Sequence, residues 1–516
     1  MLHLTFLFEN GEEFAGGGVG WPIRQLLPDI SGRARSKLEK DIHDLAVTTG
    51  ERVRISHVVN VIKLHVQNIS QLAPVHHVLA LWDGRGTVAA MSHDPLFLEA
   101  LAERVGTPFW IYDASVLRKR IGQVKALTSP PKVQARFAMK ACPATPVLKE
   151  MLKEDIWIDS VSGNEVLRAL HAGYPQGKDP AKICFTADVF RDNAMEVVMN
   201  NDILPNVGSP NMIQQLADAG YQGPMSVRFN PGFGHGHVNA CDTGGPSSKH
   251  GVWFEEAQAI AEKAKAVGLD VVMIHAHIGS GPQFQELHEN LSRLANDFAA
   301  IVPVFPELTS VSLGGGIPHD YRDPNAEFPL EMLRDLFAKA QQELSAAAGR
   351  EIHIEIEPGR FYVAPSATLV ARVHDVKATQ TNEKGEGATF CMIDAGFVDL
   401  LRPAMYGSYH HIEVVGKVDQ PTEPIVIAGP LCESGDVFTR DDAELLEPRD
   451  LPRPVPGDLV TLHDGGAYCY AMASNYNSLG RAPQLWLGED GTVTLMSRRE
   501  TIEDILDLET EEPLSV

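Results

Sequence analysis

From about residue 130 the chain alternates between two hydrophobic spacings. Short runs rich in β-branched and aromatic residues stop at small or reactive side chains, and stretches with apolar positions three and four apart follow them. Eight such runs are Val133–Lys140, Trp157–Ser162, Ile183–Ala187, Leu204–Ser209, Ser226–Pro231, Met273–Gly279, Val311–Gly316 and His353–Gly359. Helical spacing occupies Val147–Lys153, Glu165–His171, Asn193–Asn200 and Met212–Ala219. Gly173, Gly220 and Gly268 stand where a helix wants a left-handed C′ residue.

This alternation predicts a (β/α)8 barrel with its functional groups at the C-terminal ends of the strands, and leaves a doubly wound sheet as the rival. The glycines favour the barrel. Gly314-Gly315-Gly316 follows run seven and Gly359-Arg360 follows run eight, and a phosphate site after strands seven and eight recurs in barrels. Beyond about residue 365 the runs become short and are separated by turn residues: Thr368–Val373, Ala388–Ile393, Ile425–Ala428, Leu459–Leu462 and Thr492–Met496. Pro421–Pro424 and Pro452–Pro456 punctuate them, so this part reads as an all-β sandwich or barrel. The strand-like Pro108–Tyr112 lets residues 78–114 join 366–516 in that domain, with the barrel over 115–365. Residues 1–77 read as an extension without evident chemistry.

Composition narrows the classes. The 516 residues hold 44 Lys+Arg against 68 Asp+Glu, a formal net charge of −24. Residues 1–77 carry eight of each sign, so the whole excess lies beyond them. The acidity argues against a nucleic-acid partner, because neutralising phosphates needs a basic face. No run approaches the roughly 20 apolar residues that span a bilayer, and the N-terminus lacks a basic secretory n-region. Cys142, Cys184, Cys241, Cys391, Cys432 and Cys469 are scattered without a C-x-x-C, which fits free thiols in a reducing cytoplasm.

Lys140 ends the first run, in Arg136-Phe-Ala-Met-Lys-Ala-Cys142. At a barrel mouth, desolvation and neighbouring cations can make such a lysine nucleophilic. Glu357-Pro-Gly-Arg360 sets a carboxylate, a backbone N–H and a guanidinium at the same rim. With Gly314–Gly316 and the serine of His277-Ile-Gly-Ser280, these residues suit a phosphate. A carboxylate beside an aldehyde-bearing phosphate cofactor suits the ring nitrogen of pyridoxal phosphate. His235 and His237 read as polar loop residues, not metal ligands, and no metal is expected.

On these motifs the chain resembles the fold-type III pyridoxal-phosphate decarboxylases, which combine an alanine-racemase-like barrel with a C-terminal β domain. The resemblance spans roughly residues 80–505 and also rests on Asp159-Ser-Val-Ser-Gly-Asn-Glu165, Gly429-Pro-Leu-Cys-Glu-Ser-Gly-Asp436 and Gly466-Ala-Tyr468. It implies that Lys140 is the Schiff-base lysine, that His277 stacks on the cofactor ring and that Glu357 pairs with the ring nitrogen. It gives phosphate or substrate-carboxylate contacts to Ser280, Gly314, Gly315, Gly316, Gly359, Arg360 and Tyr468. Asp159, Ser162 and Glu165 match residues that orient the site. Cys432 matches a proton donor that reaches the neighbouring subunit's site, which implies a homodimer. Cys142-Pro143 and Gly281-Pro282 depart from the family pattern at positions that carry no chemistry.

Arg402 and Tyr406, in Asp399-Leu-Leu-Arg-Pro-Ala-Met-Tyr-Gly407, together with Glu433, match the diaminopimelate branch. That substrate carries a second α-amino-carboxylate, so a cation for its carboxylate and an anion for its amine are wanted; Arg402 and Glu433 supply them. The implied reaction converts meso-2,6-diaminopimelate to L-lysine and CO2. A decarboxylase of ornithine, lysine or arginine, in either enantiomer, stays open, as does a catalytically silent regulatory relative. Asn239–Gly251, rich in Gly, Ser and Thr, reads as a mobile loop over the site.

Overall fold

The computed structural model describes residues 94–234, 243–281, 283–323 and 326–510, with 512 and 514, and each of the eight runs contributes a parallel strand. The extension 1–77, the start of the 78–114 segment, His235, His237, Cys241 and Pro282 lie outside the described residues. After β1 (Phe109–Asp113) come β2 (Val133–Ala138), β3 (Trp157–Ser160), β4 (Ile183–Ala187), β5 (Leu204–Val207) and β6 (Pro224–Asn230). A two-residue β7 (Val252–Trp253) precedes β8 (Asp270–His275), β9 (Ser310–Ser312) and β10 (His353–Ile356).

Parallel pairing runs β5-β4-β3-β2-β10-β9-β8-β6, and the pairs Asn206↔Ser226 and Val207↔Val227 join β5 to β6, closing the ring. The doubly wound alternative is thereby excluded. β7 adds to β6 through Phe229↔Val252 and Asn230↔Trp253.

The helices start and stop where their ends are satisfied. Ser209 Oγ accepts from the Met212 N–H at 3.2 Å ahead of helix Pro210–Asp218, whose first residue is the proline a helix N-terminus tolerates. Gly173, at φ +106°, ends helix Gly163–Ala172 in the left-handed region. Helix Thr145–Lys153 buries Val147, Leu148 and Met151 completely against the barrel. Truncating one such side chain to Ala costs about 2–5 kcal/mol. Deep inside, Arg136 is fully buried, pairs with Glu355, and donates to the carbonyls of Ala181 (2.7 Å) and Ile158 (3.2 Å).

The second layer is a nine-stranded mixed sheet. Its later strands are β11 (Ala367–Ala378), β12 (Thr389–Ile393), β13 (Ile412–Val414), β14 (Thr422–Ala428), β15 (Arg449–Pro452), β16 (Leu459–Leu462), β17 (Gln484–Leu487) and β18 (Val493–Ser497). β1 lies between β11, antiparallel, and β17, parallel. The chain thus enters the barrel from this sheet and returns to it directly after β10. That topology carries Arg402, before β13, and Tyr468, after β16, to the barrel's C-terminal rim.

Candidate active site

Strand ends converge on one cleft. Lys140 and Asp159 reach it from β2 and β3, and Thr186 and Arg228 from β4 and β6. His275, His277 and Ser280 come from β8 and its loop, Gly315 and Gly316 from the loop after β9, and Glu357, Gly359 and Arg360 from just past β10. Tyr468 closes the cleft from the second sheet. The empty space of the cleft, with its open mouth counted, is about 530 Å³.

Lys140 does not end a strand. β2 stops at Ala138, and a 3₁₀ turn over Met139–Ala141, closed by Cys142 N–H donating to the Met139 carbonyl at 3.0 Å, presents the lysine. It is exposed in the cleft and makes no ion pair among the described residues. Tyr468 holds a left-handed φ of +61°, costly for a bulky residue, while its N–H donates to the Ala141 carbonyl at 2.9 Å. The lysine turn and the tyrosine are therefore tied together through the backbone.

Glu357 is buried, accepts from Ser312 Oγ at 2.6 Å, and has its other oxygen 3.2 Å from His275 Nε2. Burial pushes its carboxyl up, but His275, the Ser312 hydroxyl and the Arg136 charge outweigh that and hold it below the usual carboxylate range. Asp159 goes the other way: burial and the neighbouring Glu357 charge raise it, against opposing contributions from Thr186 and Lys140. Two carboxyls at one rim are thus shifted in opposite directions. His277 Nδ1 accepts from the Gly315 N–H at 3.2 Å. Burial first, then Lys140 and Arg228, depress its pKa well below the ordinary value, so the ring is neutral.

The glycines shape the wall. A Cβ on Gly314, at φ +71°, would meet the Ala276 carbonyl oxygen at 2.5 Å, and one on Gly316, at φ +111°, would meet the Gly279 oxygen at 2.7 Å. Only glycine lets this loop lie so close to its neighbours. Asp159 Oδ1 and Arg228 Nε are buried in the cleft without a hydrogen-bond partner among the described residues. Such groups need a partner.

A second cavity adjoins the first and shares Ser280 and Arg360 with it. Arg402, Tyr406, Tyr321 and Ser408 line it, as do Asp320, Asp441 and Asp442. Arg360 Nη1 donates to the Tyr321 hydroxyl at 3.1 Å, and the Arg402 guanidinium lies 4.6 Å from the centre of the same ring.

The predicted residues do not all gather here. Gly314 supports the loop without lining the cleft. Ser162, expected to orient the site, instead caps helix Gly163–Ala172: its Oγ accepts from the Glu165 N–H at 3.1 Å. Glu165 in turn accepts from the Val161 N–H at 2.7 Å. Cys432 and Glu433 are exposed and line neither cavity. Their loop is held by Asp436, which accepts from Phe397 N–H (2.7 Å) and Leu431 N–H (2.9 Å), while Asn477 Oδ1 accepts from Cys432 N–H at 3.1 Å. The other four described cysteines are buried. The described part of the expected mobile loop is tied down: Thr243 Oγ1 donates to the His277 carbonyl at 2.9 Å, and His250 Nδ1 lies 2.5 Å from Asp188 Oδ2. Sequence reading missed Thr186, Arg228, His275, Ser312, Tyr321 and His410. The i, i+2 pair His275-Ala-His277, which sends both rings to one side of a strand, was the available signal for one of them.

Known proteins share this chain's sequence and fold. The family model described as pyridoxal-dependent decarboxylase, pyridoxal binding domain, matches residues 114–364. Diaminopimelate decarboxylase of Escherichia coli K12 is 39% identical over 414 residues, 79% of this chain and 95% of that protein. A crystal structure of a diaminopimelate decarboxylase superposes with a TM-score of 0.75 at 37% identity, covering 83% of this chain and 98% of the other. The Helicobacter pylori diaminopimelate decarboxylase, solved with L-lysine, gives a TM-score of 0.68 at 28% identity, covering 80% and 98%.

Proposed function

The chain belongs to the pyridoxal-dependent decarboxylases and, within them, to the diaminopimelate decarboxylases, and from this premise we propose that it converts meso-2,6-diaminopimelate to L-lysine and CO2 in lysine biosynthesis. The cofactor is pyridoxal 5′-phosphate. The observation that carries the substrate is Arg402. It is a buried cation, 2% exposed, with no carboxylate within 4 Å among the described residues, in the cavity adjoining the Lys140 cleft. A buried charge of this kind wants a counter-ion. The distal carboxylate of diaminopimelate supplies one; ornithine and lysine, taken by their α-carbon, would bring an ammonium instead.

The residues of the cleft fit the cofactor. A loop that admits only glycine, an unpaired lysine, a carboxylate kept ionised and two unpartnered buried polar atoms suit a phosphate, an aldehyde and a protonated ring nitrogen. Gly314, Gly315, Gly316, Ser280, Gly359, Arg360 and Tyr468 would hold the phosphate. When bound, the cofactor would supply an aldehyde for the substrate amine and a ring that delocalises the electron pair left on the α-carbon as CO2 departs. Lys140 would hold the aldehyde of the cofactor and, once released, would accept and return protons at Nζ. Glu357 keeps a proton on the ring nitrogen, which a neutral carboxyl would do poorly. Neutral His277 offers a flat face that adds no positive charge, and Asp159 orients the lysine. Arg402 and Tyr406 bind the distal carboxylate.

Cys432 and Glu433 act in the second copy of a homodimer, the thiol as proton donor and the carboxylate as partner of the distal ammonium. Residues 115–365 form the cofactor domain, and among the described residues 94–114 with 366–510 form the domain that completes it. The free thiols fit a reducing cytoplasm. Among the described residues no helix is long and apolar enough to cross a membrane.

The test is CO2 release by cofactor-loaded protein from meso-diaminopimelate, ornithine, lysine and arginine, each with wild type and Arg402→Ala. Diaminopimelate is expected to be the substrate, and loss of Arg402 to raise its KM by about tenfold or more. Turnover of ornithine, lysine or arginine in preference would overturn the reading.

A further inference from the structure

Arg402 is held by groups that carry no charge. Its Nη1 lies 3.0 Å from His410 Nε2, and the other nitrogen of that ring, Nδ1, lies 2.8 Å from the His463 carbonyl oxygen. A guanidinium only donates and a carbonyl only accepts, so the proton sits on Nδ1 and the Nε2 lone pair faces the arginine. Both contacts are satisfied by neutral imidazole alone. Burial and the Arg402 charge hold His410 at about 3, in keeping with that geometry. On the other sides stand the Tyr321 ring face, 4.6 Å from the guanidinium carbon, and the Cys469 thiol, which burial pushes up to about 12. Tyr321 is itself set edge-on against His410, with ring centres 5.3 Å apart, and against His319 at 4.9 Å. Asp320, Asp441 and Asp442 line the cavity, but none comes within ion-pair distance of Arg402.

We propose that His410 is a positioning residue for substrate selection: as a neutral acceptor it aims the Arg402 guanidinium into the cavity while leaving its charge available to the carboxylate at the far end of the substrate. An aspartate or glutamate at this position would orient the arginine equally well and neutralise it. An apolar residue would leave the charge free but unaimed. Histidine with its proton fixed on Nδ1 avoids both outcomes. The inference rests on the diaminopimelate reading given above and goes beyond it, since His410 need not touch the substrate.

The experiment uses cofactor-loaded wild type, His410→Glu, His410→Leu and His410→Gln. For each it measures KM and kcat for CO2 release from meso-diaminopimelate, and competitive inhibition by L-lysine and by cadaverine, which lacks any carboxylate. Wild type should bind L-lysine more tightly than cadaverine. His410→Glu should raise the diaminopimelate KM by about tenfold or more, with kcat within about threefold, and should erase the preference for L-lysine. His410→Leu should shift KM in the same direction, and His410→Gln, which keeps an acceptor, should restore most of the preference. A KM and an L-lysine-to-cadaverine ratio unchanged in His410→Glu and His410→Leu would overturn the proposal. So would an equal fall in kcat and cofactor absorbance in all three variants, which marks a merely structural role. Failure of wild type itself to release CO2 from diaminopimelate would instead overturn the functional reading.

Discussion

Glu357 and Asp159 show how two carboxyls at one rim are shifted in opposite directions by their surroundings. Ser312 and His275 face the first, whereas the second is buried beside it with one oxygen unpartnered. Replacing Glu357 with Gln removes the charge and should lower kcat by about 100-fold or more, measured as CO2 release at saturating cofactor, whereas Ser312→Ala, which removes one hydrogen bond to a charged group, should cost about tenfold. Equal losses would mean that the charge state of Glu357 is not what matters. Asp399, at the start of the turn bearing Arg402, makes a pH prediction. Burial raises its carboxyl to about 7, with the Gly396 N–H and Arg499 opposing, and Asp394 and Asp436 adding to the rise. The folded state therefore binds this proton more tightly than the unfolded one, so stability is lost as pH climbs from about 4 to about 7 and the deficit remains above that. Asp399→Asn keeps an acceptor for the Gly396 N–H and removes the titration. Its thermal midpoint relative to wild type should rise between about pH 5 and pH 8, and a constant difference would sink the assignment. Lys140, Glu357 and Arg360 were legible in the sequence because each lies within four residues past the end of a β-rich strand. Arg228 was not: a lone charge inside an apolar run does not reveal that the run lines a polar cleft.

At the scale of elements, the hydrophobic period located all eight barrel strands but not how they end. Val133–Lys140 reads as one run, yet the lysine needs a 3₁₀ turn that only the Cys142–Met139 backbone bond makes. A period-two pattern cannot register such a bond. Ser162 was read by its neighbours' chemistry when its local role is a helix cap, a signal present in the Ser-x-x-Glu spacing. The loop 314–316 is the reverse case, because three consecutive glycines announce a close approach. A methyl on Gly315 would run into the carbonyl of Glu357. Gly315→Ala should therefore shift the loop, weaken cofactor retention by about tenfold or more and destabilise the fold by about 1–3 kcal/mol. Absorbance of the bound cofactor after dialysis and a thermal melt check both. Gly385→Ala, where nothing lies within 4 Å of the added carbon, is the control and should change neither. Retention unaltered in Gly315→Ala would remove this loop from the cofactor site.

The whole molecule is acidic, yet the two adjoining cavities place Arg228, Arg360 and Arg402 among their lining carboxylates, so an anionic group can be met there by a placed cation whatever the net charge. Cys432 and Glu433 fall outside this enclosure. They stand exposed on a loop that Asp436 and Asn477 tie down by three hydrogen bonds, at the place where the thiol is presented. If that place is the cleft of a second copy, as proposed, Lys140 and Cys432 of one site belong to different chains. A Lys140→Ala chain still offers a sound Cys432, and a Cys432→Ala chain a sound Lys140. Each variant alone is inactive at both sites. In a two-fold dimer assembled at random from equal amounts, half of the dimers are mixed, and each mixed dimer has one intact site and one doubly defective site. Co-expressed variants carrying different tags should therefore recover about a quarter of wild-type activity. Isolating the mixed dimer through both tags should raise that to about half, because every molecule then holds one intact site. Mixed dimers that form and stay inactive would rule out a shared site. A fully active monomer in sedimentation would rule out the dimer, and would return the search for the proton donor to the cleft of the single chain, where burial and the neighbouring Glu357 raise the Asp159 carboxyl to about 7.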